Sequence, residues 1–233
     1  DVAAALEMES VSESPWLMIA AGTASTLGKK DESLLLLDEA YQRADGPSTL
    51  ANNLGFSLLE QGIERERAES LILEANRMNP EGTSELDSLG WLRYMQGKTD
   101  PRDKDGALFY INRSVLNRRI RGDDVPLEVL MHLGDASWRA GNSTEAVSVW
   151  NQILELRGGP GQDLRYQEIY ANWMKGAFGL EIISPVALWQ YLDGKWVDGA
   201  RERLSAVAEG NTPKVTPQWQ EIDAEKKNSS RGE

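Results

Sequence analysis

A recurring pattern of small residues constrains this chain more than any other feature of its sequence. A Leu-Gly pair is followed seven residues later by a second glycine, and then by an alanine that opens another apolar segment. The pattern occurs as NNLGFSLLEQG from Asn52, LDSLGWLRYMQG from Leu86 and HLGDASWRAG from His132. Self-similarity with a period of about 20 to 50 residues is the signature of repeat proteins, in which one structural unit stacks on the next. The chain is therefore predicted to fold as an array of repeats.

The small residues have a physical role in a pair of packed helices. Two helices approach closely only where the residues at their crossing are small. Small residues stand at the expected crossing points of both helices of each pair: Gly55, Gly90 and Gly134 in the first helices, Ala68, Ala107 and Ala146 in the second. Four other glycines are predicted to end the first helices in the left-handed conformation, which glycine adopts without steric cost: Gly28, Gly62, Gly97 and Gly141.

Apolar residues with helical periodicity predict eight helices, at about 16–27, 33–43, 49–61, 67–78, 84–96, 106–117, 127–140 and 144–156. No useful run alternates with a period of two residues, so no sheet is predicted. Beyond residue 157 the signal weakens. Helices are predicted at 166–180 and at 185–208, the latter interrupted near Gly194, where Gly194 and Ala200 have almost the spacing of the repeat.

The spacing resembles that of the tetratricopeptide repeat family, whose pattern has a small residue at position 8, glycine near 15, alanine at 20 and 27, and proline at 32. The repeat that begins near residue 48 matches at Gly55, Gly62, Ala68, Ala75 and Pro80, after one inserted residue. Three other repeats are in phase with it, and the third carries about five extra residues within Thr99 to Gly106. The resemblance implies an all-α fold, a right-handed α-solenoid of helical hairpins.

The repeat register also predicts how the chain is organised. Residues 1–14 are expected to be the remnant of a preceding repeat helix, and 15–157 to form four hairpins. Residues 158–209 are expected to supply capping helices, including a degenerate fifth unit. Residues 210–233 are polar apart from Trp219 and Ile222, so they are predicted to form a disordered tail.

Composition excludes several kinds of site and partner. The chain has 25 basic and 37 acidic residues, a net charge of −12, which disfavours nucleic acid as a partner. It has no cysteine and one histidine, so no thiolate or His-based metal site and no catalytic triad is expected, and no cofactor. No stretch approaches the roughly 18 apolar residues of a spanning helix, so no membrane insertion is expected. Neither the bacterial cytoplasm nor the cell envelope is favoured.

The resemblance to tetratricopeptide repeats also implies a binding groove. In that family, certain positions of the first helix of each hairpin commonly meet the ligand. The equivalent residues here are Asn52, Asn53, Phe56, Asp87, Trp91, Tyr94, His132, Asp135, Trp138 and Arg139. Aromatic anchors and two asparagines in a groove would suit an extended peptide, and the acidic positions would suit basic side chains. The alternative is that some of these aromatics pack against the next hairpin.

A protein-protein interaction scaffold, binding a protein or peptide that is basic or apolar, is the leading functional interpretation. The lone cation at these positions is Arg139, which argues against the carboxylate clamp of some family members. A competing interpretation is an all-helical enzyme or the regulatory domain of a larger enzyme, with Asp87 and Asp135 as acid and base. Self-association through an unpaired terminal hairpin is a third.

Overall fold

The structure, a computed structural model, describes residues 14–26, 28–44, 47–157 and 193–229. Within these ranges it contains ten α-helices and no β-strand. They are α1 (Ser14–Thr26), α2 (Lys30–Arg43), α3 (Ser48–Gln61), α4 (Arg65–Met78), α5 (Thr83–Met95), α6 (Ala107–Arg121), α7 (Leu127–Arg139), α8 (Ser143–Arg157), α9 (Lys195–Ala208) and α10 (Trp219–Ser229).

The eight helices predicted before residue 158 are confirmed as α1 to α8, with ends that differ from the predicted ones by four residues or fewer. The helix predicted at 166–180, the start of the one at 185–208 and most of the predicted N-terminal remnant lie outside the described residues. The chain divides into two compact units, Asp1–Leu92 and Arg93–Glu233. This division lies inside the stretch 15–157, which the sequence assigns to a single array.

In the first unit each helix packs against the next, α1 on α2, α2 on α3 and α3 on α4. The buried face of α4 follows the i, i+3, i+4, i+7 pattern of an amphipathic helix, with Ala68, Leu71, Ile72 and Ala75. Gly55 of α3 lies at the crossing with α4, as its position in the repeat predicts. A Cβ at residue 55 would stand 3.0 Å from Leu71 Cβ and 3.1 Å from the backbone nitrogen of Ile72.

The turn that ends each first helix has the same geometry in all four repeats. Gly28, Gly62, Gly97 and Gly141 have φ values of 74°, 67°, 81° and 80°, which confirms the predicted left-handed conformation. At Gly62 the glycine N–H donates to Leu59 O, and the next N–H, of Ile63, donates to Leu58 O. The other three turns repeat this pair of bonds. Each is a Schellman motif, which satisfies carbonyl groups that a helix end leaves unpaired.

In the second unit α6 packs on α7, α7 on α8, and α9 on both α7 and α8. The indole of Trp150, a fully buried residue of α8, covers Gly134 of α7, where a Cβ would clash with Trp150 Nε1. Val197 and Ala200 of α9 are also fully buried. Gly194 precedes α9 with an ordinary helical φ of −60°, so it does not form a turn like the other four.

The insertion of the third repeat is folded onto its own hairpin. It contains Asp105, whose carboxylate accepts hydrogen bonds from Arg93 at the end of α5, from Lys98 and from the Tyr110 hydroxyl. These bonds connect both ends of the loop, so α6 can begin at Ala107 despite the extra residues. The Asp105 carboxylate therefore holds the inserted residues against α5 and α6.

The predicted disordered tail is corrected over residues 210–229. Residues 211–218 have no regular secondary structure but make specific hydrogen bonds, and α10 follows them. The composition argument considered only apolar burial, whereas these residues are held mainly by polar partners. Residues 230–233 lie outside the described part of the chain.

Gly55→Leu should destabilise the protein by roughly 1–3 kcal/mol or more, because the new side chain would enter the backbone and Cβ of α4. Gly22→Leu in α1 is the matched control, since no atom lies within 4 Å of a Cβ at that position. It should be neutral or stabilising by up to about 1 kcal/mol, from helix propensity. Urea unfolding followed by circular dichroism measures both. Equal effects of the two substitutions would contradict the close crossing.

Candidate functional site

The predicted groove residues of the first unit are only partly accessible. Asn52, Asp87 and Trp91 are buried, with 5%, 5% and 3% of their surface exposed, whereas Asn53 and Phe56 are half-buried. The indole N–H of Trp91 donates to Glu60 Oε1 at 3.3 Å. Trp91 therefore lies in the packed interior, in agreement with the alternative in which the aromatic residues pack. Asn53 and Phe56 remain as the accessible candidates of this unit.

In the second unit the predicted positions surround a buried carboxylate, that of Asp135 in α7. Asp135 is fully buried, and Arg203 of α9 donates to both its oxygens, from Nε at 2.7 Å and from a terminal nitrogen at 2.8 Å. The backbone N–H and the hydroxyl of Thr216 each donate to Asp135 Oδ2 at 2.9 Å. Four donors thus compensate the charge, which a buried carboxylate requires.

Tyr94 forms two hydrogen bonds with the segment 211–218, which contains Thr216. Its hydroxyl donates to the carbonyl oxygen of Thr216, and its own carbonyl oxygen accepts a hydrogen bond from the Gln218 side chain at 3.0 Å. Burial raises the pKa of the Tyr94 hydroxyl well above its usual range, and the nearby charge of Asp135 adds to the effect. The hydroxyl is therefore protonated at neutral pH and available as a donor.

Arg139, at the end of α7, binds Glu221 in α10 through two parallel hydrogen bonds of 2.8 and 2.6 Å. Glu221 Oε2 also accepts the backbone N–H of Gln218 at 2.8 Å, three residues earlier, and so caps the first turn of α10. The hydrogen bonds from Arg139 lower the pKa of Glu221, so this carboxylate is charged at neutral pH. One side chain thus both starts α10 and attaches it to α7.

We call the surface formed by Asp135 and Arg139 of α7, together with Tyr94 of α5 beside them, the α7 face. Residues 213–221 are called the docked segment. The sequence places the α7 face at groove positions, but it does not reveal that part of the same chain lies on it. The groove positions predicted from the sequence did not include Arg203, Thr216 or Glu221. The signal available for Glu221 was weak: an acidic residue shortly after Pro217, as is common in the first turn of a helix.

His132 and Trp138 also lie on α7, and each contacts a tryptophan. The His132 ring meets Trp196 of α9 edge to face, with 6.2 Å between the ring centres. The Trp138 ring lies 5.8 Å from Trp150. His132 is buried, whereas Trp138 is half-buried and remains accessible beside Arg139.

Part of the chain is similar in sequence to a known repeat protein. A TPR repeat-containing protein of Pseudomonas aeruginosa is 32% identical over 80 residues, which are 33% of this chain and 14% of that protein. This chain therefore spans only a small part of the length of that relative. A solved structure of a MamA mutant is 18% identical with a TM-score of 0.44, over 77% of this chain and 97% of that chain. No protein-family model matches.

Two further observations concern the described residues. Across the described residues, no group of three or more His, Cys, Asp or Glu side chains is arranged to hold a metal ion. No helix in those ranges is long and apolar enough to cross a membrane.

Asp135→Asn should destabilise the second unit by roughly 3–5 kcal/mol, because it leaves the Arg203 guanidinium, which is 11% exposed, without its counter-charge. Asp198→Asn removes one charge from an exposed 3.0 Å ion pair with Arg201 on α9 and serves as the control. It should cost less than about 1 kcal/mol. Urea unfolding measures both, and a small effect of Asp135→Asn would contradict the role given to this carboxylate.

Acid should release α10 from α7. Because the folded pKa of Glu221 is lowered, its contribution to docking is complete above the ordinary glutamate pKa of about 4.3 and is lost as the pH falls below it. The protection of the α10 amides, measured as their exchange rate relative to that of the unfolded chain at the same pH, should therefore fall as the pH drops below about 4. The charged or titratable groups around Glu221 are Arg139 and Tyr94, with Asp135 and Arg203 beyond them.

A Glu221→Gln variant is the control for this titration. Its α10 amides should be less protected at pH 7 and should lose little further protection on acidification, since the titrating group is gone. If the amides of wild-type α10 were equally protected at pH 7 and pH 3, relative to the unfolded chain at each pH, the ion pair with Arg139 would not hold it.

Proposed function

We propose that this protein is a protein-interaction scaffold that holds a polypeptide segment of a partner on the first-helix faces of its repeats. The observation that carries the proposal is the way the α7 face binds the docked segment. Asp135 accepts the backbone N–H of Thr216, and Tyr94 donates to the carbonyl oxygen of the same residue. Since every non-proline residue offers these two groups, the face has the chemistry to bind many sequences.

The first unit offers a different surface at the same repeat position. Phe56 follows Gly55 just as Asp135 follows Gly134, so the two residues have the same place in their repeats. Phe56 is half-buried, and Asn53 lies one helical turn before it, also half-buried. An aromatic ring beside a carboxamide suits an apolar side chain with a hydrogen-bonding backbone, which fits the apolar partner expected from the sequence.

The enzyme interpretation is less well supported by the same residues. A general acid or base must reach its substrate within hydrogen-bonding distance. Asp135 is fully buried and shared by Arg203 and Thr216, and Asp87 is 95% buried. Both carboxylates named for that role are therefore poorly placed for it, which favours the scaffold.

Photo-crosslinking in cells tests the scaffold proposal on the first unit. A benzophenone amino acid in place of Phe56 should give discrete adducts with a partner protein, because this position lies on the proposed binding face. Leu35 of α2 is the control: it is 62% exposed and lies on a second helix of the same unit. Adducts that are the same from both positions, or adducts only between two copies of this chain, would contradict the proposal.

A further inference from the structure

We infer that the docked segment is the protein's own occupant of a peptide site on the α7 face, and that the ligand replacing it is a peptide with a carboxylate five residues after a Thr-like residue. The inference rests on the proposed function and deepens it, since it names the chemistry of the partner. Thr216 and Glu221 supply those two groups in the occupied state.

The α7 face would stay organised if the docked segment left it. Asp135 would keep both hydrogen bonds from Arg203, which belongs to α9 and not to the segment. The buried charge would therefore remain paired, and only the bonds to Thr216 would be lost. Tyr94 would keep its place in α5, with its hydroxyl in reach of Arg139 Nε at 3.4 Å. Departure of the segment thus leaves a formed site rather than a collapsed one.

The docked segment itself is held by polar contacts more than by apolar burial. α10 contains no buried residue, and Pro217 and Gln220 are exposed. Within the docked segment Pro213 is the buried residue. Segments with few buried apolar contacts open at low free energy, whereas the helices of a core open only with the whole unit. The contact with the α7 face is therefore suited to exchange.

The specificity of the site lies in Arg139. The bonds to the Thr216 backbone are available to almost any peptide, but the paired bonds to Glu221 require a carboxylate of matching geometry. Arg203 already neutralises Asp135, so the α7 face does not offer a free acidic group to a basic ligand. The expected ligand is therefore acidic at this point. This replaces the basic partner that the acidic groove positions predict from the sequence.

Peptide binding to the 233-residue chain tests the inference. The probe is a fluorescein-labelled peptide with the sequence of residues 212–225, and its affinity is measured by fluorescence anisotropy. Glu221→Arg in the chain should raise the affinity at least about tenfold, because the tethered segment, which competes at a high effective concentration, is repelled from Arg139. Glu225→Arg makes the same charge change at an exposed position of α10 and should leave the affinity unchanged.

Exchanging the charges of residues 139 and 221 tests whether Arg139 selects the ligand. A chain with Arg139→Glu should reject the wild-type peptide and bind the peptide that carries Glu221→Arg. If Glu221→Arg does not fold, as judged by circular dichroism, Glu221→Gln is used in its place with a smaller expected gain. No gain in either variant, while hydrogen exchange shows that α10 has been released, would overturn the inference.

Two other outcomes separate this inference from the scaffold proposal. If the Phe56 adducts form but peptide affinity does not rise on release of α10, the scaffold stands and the inference fails. If light scattering shows that the wild-type chain is a dimer and Glu221→Arg makes it monomeric, the segment is exchanged between copies, which overturns occupation within one chain.

Discussion

The second unit depends on one buried charge, the carboxylate of Asp135. A carboxylate without water needs donors for both oxygens, and the four that serve Asp135 come from α9 and from the docked segment, 68 and 81 residues away in the chain. The helix packing that buries Asp135 therefore also dictates where α9 and residue 216 must lie. A substitution at Asp135 therefore affects both α9 and the docked segment.

The repeat pattern explains why this carboxylate can be buried at all. Gly134, the residue before Asp135, lets the Trp150 indole lie directly on α7. That close contact draws α8 onto α7, and α9 packs against both helices, so that Arg203 reaches Asp135. Gly134, which the repeat pattern identifies, thus has a second effect. By allowing the close contact between the helices, it determines how deeply the Asp135 side chain is buried.

The sequence predicts the hairpins well and the occupant of the α7 face poorly, for a physical reason. The helices and the left-handed glycines are specified by local spacing, so α1 to α8 and the turns at Gly62 and Gly141 can be read directly. The contacts of Arg139 with Glu221 join residues 82 apart and follow no period. Composition predicts disorder for residues 210–229 because it reflects only the apolar surface that a segment can bury. It does not reflect a few hydrogen bonds and ion pairs with specific partners.

The repeat register shows that the position after the crossing glycine has three different environments. Phe56 is half-buried, Trp91 is buried against Glu60, and Asp135 is fully buried with Arg203. A family pattern therefore identifies the position but not its chemistry, which depends on what the neighbouring helix supplies. At Asp135 that neighbour supplies a cation, which neutralises the acid and leaves Arg139 as the charged group of the face. A chain with a net charge of −12 can in this way present a local site for an acidic peptide.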